Sequence, residues 1–114
     1  MIYYHNPKCS KSREGLKLLQ SKKVSFQIKE YLKEPLSKEE LKELFQKLVL
    51  NPKDVVRKKE QKFKELNLDE KSLNIDQWIE ILQNHPILLE RPILMSSQKA
   101  IIGRPTEKLL EILP

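Results

Sequence analysis

The chain has a single cysteine, Cys9, in 114 residues. That excludes an intrachain disulfide and any zinc site built on paired cysteines. Apolar runs long enough to span a bilayer, about 18 residues, are absent. The opening residues also lack a basic stretch followed by an apolar one, so we expect no membrane partner and a cytoplasmic setting in which a free thiol persists. There is no internal repeat and no low-complexity tract. At 39% hydrophobic and 33% charged, the composition is that of an ordinary soluble protein long enough to bury one core, and we expect one domain over residues 1–114.

The net charge of +6 raises the question of nucleic acid. The distribution argues against it. Residues 1–33 carry eight Lys and Arg against two acids, residues 34–90 carry ten against twelve, and residues 91–114 carry four against two. No arginine-rich tract and no aromatic-studded strand is present to stack bases. A small anion accounts for positive charge gathered at the two ends of the sequence.

The hydrophobic pattern then gives the order of elements. Residues 2–5 form a short β run, and the segment from about Ser10 to Gln20 carries a helical stripe with Leu16 and Leu19 at its centre. Val24, Phe26 and Ile28 alternate with polar residues as a half-buried strand, so strand, helix and strand make a parallel βαβ unit. Ser37-x-x-Glu40 opens a helix with Leu41, Leu44, Phe45 and Leu48 on one face. Asn51-Pro52 stops it and starts a short helix, residues 61–66 add a further turn or two, and Asn74-x-x-Gln77 caps a helix with Ile75, Trp78, Ile79 and Leu82 in register. Trp78 falls on that apolar face and reads as core. Residues 93–95 and 100–102 form an antiparallel hairpin, and a closing helix runs from about Pro105 to Leu113 with Leu109, Leu110, Ile112 and Leu113 for burial. The fold class is α/β: a small mixed sheet, β-α-β then β-β-α, with a helical insertion over about residues 37–85.

Cys9 falls where the first strand hands over to the first helix, in Tyr4-His5-Asn6-Pro7-Lys8-Cys9-Ser10-Lys11-Ser12-Arg13. Its flanks are polar and cationic, a poor setting for a core thiol. Free amides at a helix N-terminus, the helix dipole and nearby cations all favour a negative sulfur. An unperturbed thiol is only about 3% ionised at pH 7, and a shift of about two units would make it roughly three-quarters thiolate. That shift needs about 2.7 kcal/mol, more than an exposed helix terminus supplies, so a further group is required. His5 is the nearest candidate, as a hydrogen-bond donor or a cationic partner.

Eighteen lysines stand against four arginines, Arg13, Arg57, Arg91 and Arg104. Where lysine is the default cation, arginine points to a task that needs a forked pair of N–H donors, such as holding a planar or tetrahedral oxyanion. Three of the four lie at structural punctuation: Arg91 and Arg104 precede prolines, and Arg57 follows the proline-started helix.

Six motifs, in order over nearly the whole chain, resemble the glutaredoxin-linked arsenate reductase family of the thioredoxin-like superfamily. They are Tyr-His-Asn-Pro-x-Cys-x-x-Ser-Arg at 4–13, Tyr-Leu-x-x-Pro at 31–35, Val-Arg-Lys at 56–58, His-Pro-Ile-Leu at 85–88, Arg-Pro-Ile at 91–93 and Gly-Arg-Pro at 103–105. The resemblance implies a thioredoxin-like fold with Cys9 as nucleophile and His5 and Ser12 helping to hold its thiolate. It further implies an oxyanion site from Arg57, Arg91 and Arg104, and a cis-proline at Pro92. By the same resemblance the reaction is reduction of arsenate, or a similar oxyanion, with glutathione as co-substrate, glutaredoxin as partner and no bound cofactor or metal. A single cysteine suits this scheme, because without a resolving thiol in the chain an external one is obligatory.

Two rival readings use the same fold. Spx-like regulators bind RNA polymerase and sense oxidation through Cys-x-x-Cys, but Ser12 occupies the second position here and removes that switch. A family paralogue would keep the site for a glutathione-linked thiol reaction on another substrate; Lys11 adds charge that aids anion capture but crowds a glutathione approach. A tyrosine phosphatase loop fails, because it needs arginine six residues after the cysteine and Gly15 is there.

Overall fold

In the computed structural model, which describes all 114 residues apart from the side chain of Glu70, the chain forms two compact units. One comprises Met1–Glu34 with Arg91–Pro114 and the other Pro35–Glu90.

The first unit holds a four-stranded sheet, β1 (Ile2–Tyr4), β2 (Gln27–Lys29), β3 (Ile93–Met95) and β4 (Ala100–Ile102), in the order β2-β1-β3-β4. β1 and β2 are parallel, with Tyr3 opposite Ile28, whereas β3 runs antiparallel to both β1 and β4. Helix α1 (Ser10–Ser21) links β1 to β2, as a parallel pair requires. Tyr3, Leu94, Leu19 and Leu109 are fully buried together, and Leu16, Val24, Phe26, Ile101 and Ile112 pack around them.

The second strand and the closing segment differ from the sequence expectation. The second strand begins only at Gln27, because Val24 and Phe26 pack into the core before the ladder forms, and Ile28 on the edge strand stays 43% exposed. The closing segment, Thr106–Ile112, is a 3₁₀ helix. Three residues per turn put Leu109 and Ile112 in one row on the core and leave Leu110 outside. Gly15 and Gly103 both lie against Leu109 and the Pro92 ring, and a Cβ at either would collide with Leu109.

The second unit is helical: α2 (Lys38–Leu48), a 3₁₀ turn at Pro52–Val55, α3 (Gln61–Glu65), another turn at Leu68–Glu70, α4 (Ile75–Asn84) and a last turn at Pro86–Leu88. Ser37 Oγ accepts from the Glu40 amide, and Asn74 and Gln77 form a reciprocal capping box. Leu41, Leu44, Phe45 and Leu48 of α2 and Trp78, Ile79 and Leu82 of α4 are buried, Trp78 as core. Ile75, the first residue of α4, lies outside that face and is 47% exposed. No helix among the described residues is long and apolar enough to cross a membrane.

Candidate active site

β1 ends at Tyr4, and the next two residues stay buried while the chain turns. The His5 amide donates to the Lys29 carbonyl at 2.9 Å, which continues the β1–β2 pairing by one bond. Asn6 then organises the turn: its Oδ1 accepts from the Lys8 amide and its carbonyl accepts from the Cys9 amide, both at 3.0 Å. The side chain of Asn6 thus satisfies the Lys8 amide across Pro7, as in an Asx turn. Arg13 reaches back to the Pro7 carbonyl at 2.8 Å and ties the loop to the helix.

Cys9 is the N-cap of α1, with extended backbone angles and a partly exposed side chain. Its sulfur makes no conventional cap hydrogen bond. Burial alone would push the thiol pKa up. The amide of Ser12, the Arg91 guanidinium and the amide of Lys11 favour the charged form, and together they hold it below the ordinary thiol value. Arg104 is a second cation at the site, with Nη2 at 3.6 Å from Sγ. Its Nε donates to the Arg91 carbonyl at 2.7 Å, so the two arginines are tied together beside the sulfur.

His5 and Ser12 meet each other. Nδ1 of His5 lies 2.7 Å from Ser12 Oγ, which also accepts from the Asn6 amide at 3.0 Å. Burial lowers the His5 pKa, the Arg13 charge acts in the same direction and Glu30 opposes. His5 therefore favours the neutral ring, which can take the Ser12 hydroxyl proton at Nδ1 while Ser12 accepts from Asn6. It acts on the first turn of α1 through Ser12. The Arg91–Pro92 bond is cis, as the resemblance implied, and so is Arg104–Pro105, which was not expected.

One unit thus brings together Cys9, His5, Ser12, Arg91, Arg104 and Pro92. Arg57 belongs to the other unit. There its Nε donates to Glu60 at 3.0 Å and its Nη1 to Glu90 at 3.4 Å, so two carboxylates hold it part-buried. The sequence reading did not single out Tyr3, whose hydroxyl donates to the Ser12 carbonyl, nor the turn-building role of Asn6. An Asn-Pro pair signals a turn, but a strand tyrosine with an apolar neighbourhood reads only as core. Among the described residues, no group of three or more His, Cys, Asp or Glu could hold a metal ion.

A partly exposed thiol of lowered pKa at a helix mouth, with two guanidinium groups on it and a cis-proline in the same unit, defines a thioredoxin-like thiol site suited to an anion. Sequence comparison agrees with that class: residues 4–112 match the ArsC family, and the chain belongs to it. It is 42% identical to the arsenate reductase of Haemophilus influenzae, over 99% of this chain and 98% of that protein. It is 44% identical to the protein YfgD of Escherichia coli strain K12, over 96% and 92%. Among solved structures, an arsenate reductase from Vibrio cholerae superposes with a TM-score of 0.93 at 47% identity, covering 98% of this chain and 96% of that one.

Proposed function

We propose that this protein reduces arsenate to arsenite through the Cys9 thiolate. The observation that carries the reading is the sulfur itself: its pKa is held down by the Ser12 and Lys11 amides and by Arg91, and Arg104 donates to it at 3.6 Å. Arsenate near neutral pH is an anion, and an anionic nucleophile cannot approach it unless positive groups offset the repulsion. Arg91 and Arg104 supply those groups at the sulfur. Arg57 is the third member of the oxyanion site in this proposal, with its contacts to Glu60 and Glu90 holding the guanidinium in a set orientation.

The chemistry follows from the groups present. Cys9 attacks arsenic, an oxygen leaves as water or hydroxide, and a sulfur–arsenic(V) bond forms. The guanidinium N–H groups stabilise charge that develops on the remaining oxygens. Reduction to arsenic(III) takes two electrons, which two thiol sulfurs give up as they join in a disulfide. This chain has one sulfur nucleophile, so the second thiol comes from outside. Glutathione is the co-substrate we assign, with glutaredoxin clearing the mixed disulfide, in a reducing cytoplasmic setting.

The test is arsenate-dependent NADPH oxidation coupled through glutathione, glutathione reductase and glutaredoxin. Wild type should turn over, and Cys9→Ser should fall to the background rate. A blank wild-type trace from a protein whose thiol is still rapidly alkylated at neutral pH would overturn arsenate as the substrate and leave the paralogue role. Retained turnover in Cys9→Ser would overturn the nucleophile.

A further inference from the structure

We infer that Tyr3 is a positioning residue for the nucleophile: its hydroxyl, seated over Gly15, holds the Ser12 carbonyl and so aims the first-turn amides of α1 at the Cys9 sulfur. The inference rests on Cys9 being the working nucleophile.

The Lys11 and Ser12 amides belong to the group of first-turn donors that have no partner within a helix, and here they favour the thiolate. Their worth to the sulfur depends on how the first turn is tilted against the sheet, since hydrogen bonds weaken steeply as they bend. Ser12 sets that tilt and is held from two sides. Its hydroxyl meets His5 and the Asn6 amide, both from the chain just after β1. Its carbonyl accepts from Tyr3, which is within β1 and fully buried. Removing the phenol hydroxyl would leave Ser12 tied to the β1 side only through its side chain.

Three further observations belong to the same arrangement. Gly15, one turn beyond Ser12, is where an added Cβ would collide with the Tyr3 hydroxyl, so the space for that hydroxyl depends on glycine. The Tyr3 ring lies 5.7 Å from the His5 ring, which couples the two holds on Ser12. Burial, with the Cys9 charge adding to it against the opposing Ser12 bond, pushes the Tyr3 pKa far above the ordinary phenol value. The hydroxyl therefore stays a donor throughout the range in which Cys9 titrates. The groups acting on the sulfur are then Arg91 and Arg104 from the C-terminal half of this unit, the amides of Lys11 and Ser12 from α1, and Tyr3 from β1.

The experiment is an ultraviolet titration of the Cys9 thiolate in Tyr3→Phe, which keeps the ring and deletes the hydroxyl, beside the pH dependence of alkylation by iodoacetamide. We expect the thiol pKa to rise and alkylation at pH below that pKa to slow by about threefold, the equivalent of half a unit. The upper plateau of alkylation should be unchanged. A lowered melting temperature with the wild-type thiol pKa would make Tyr3 a packing residue and overturn the inference. Gly15→Ala gives a second reading. It should raise the thiol pKa in the wild-type background and raise it less in Tyr3→Phe, where the displaced hydroxyl is already gone. Equal shifts in both backgrounds would overturn the link between Gly15 and Tyr3. Both measurements read the sulfur directly, so a failure of arsenate turnover and a failure of this inference are separate results.

Discussion

The two units solve the same problem, how to begin a helix, in opposite ways. In the 35–90 unit, α2 starts behind Ser37 with Glu39 and Glu40 in its first turn, and α4 starts behind Asn74 with Asp76. Oxygen caps and acids satisfy the orphan amides and offset the positive end of the dipole. In the other unit, α1 starts behind Cys9, makes no side-chain cap bond of that kind and has no acid in its first turn. Charge follows the same division, with ten Lys and Arg against eleven acids in residues 35–90 and twelve against five in the rest. The short α3 also starts without a side-chain cap, behind Glu60, so the missing cap alone does not mark α1; the sulfur at its N-cap does. What a structural helix gives to its own cap, α1 keeps for a sulfur and the anion that sulfur attacks.

The arginines give the largest test of this contrast. Arg91→Ala and Arg104→Ala should each lower kcat/KM for arsenate by about tenfold or more, the scale of a lost charged hydrogen bond at about 1.5–3 kcal/mol. Arg57→Ala should do the same if the helical unit shares in the chemistry. Full activity with a lowered melting temperature would confine the anion site to the unit that holds Cys9.

Giving α1 the acid that α2 already has should produce an intermediate effect. In Ser10→Glu, a carboxylate at the first helical residue should raise the thiol pKa. Alkylation follows the thiolate fraction, so it is fast above the folded pKa and falls about tenfold per pH unit below it. Because that pKa is held down in the wild type, the fall should begin at lower pH than for a free thiol. Ser10→Glu should move the curve to higher pH, and an unmoved curve would mean that the helix terminus contributes little to the sulfur. The smallest effect should come from the opposite unit. Asn74→Ala removes a purely structural cap, should cost about 0.5–2 kcal/mol in denaturant unfolding, and should leave the thiol pKa where it was.

The sequence was most legible where local chemistry decides the outcome. The capping residues Ser37 and Asn74, the apolar face of α2, that of α4 apart from Ile75, and the hairpin of β3 and β4 are all set by nearest neighbours, and each stands where the pattern put it. It was less legible where distant packing decides. Val24 and Phe26 have the alternation of a strand, yet the core takes them before the ladder begins. Within the 3₁₀ segment Thr106–Ile112, Leu109 sits against two glycines, one on α1 and one after β4, a packing that no local pattern encodes. In the site, the type and spacing of Cys9 and the pre-proline arginines were readable, because a charged cysteine setting and an arginine among lysines are departures from the local norm. Tyr3 was not, since its ring belongs to the core and only its hydroxyl bonds to the helix.

Ninety-five residues separate Cys9 from Arg104, whose guanidinium lies on its sulfur. During synthesis the thiol leaves the ribosome well before either of the arginines that sharpen it. Until residues 91–114 arrive and β3 pairs with β1, the nascent protein lacks both guanidinium groups that hold its thiol pKa down. The full reactivity of the thiol therefore waits on completion of the sheet, and a chain interrupted within the helical insertion would lack both Arg91 and Arg104.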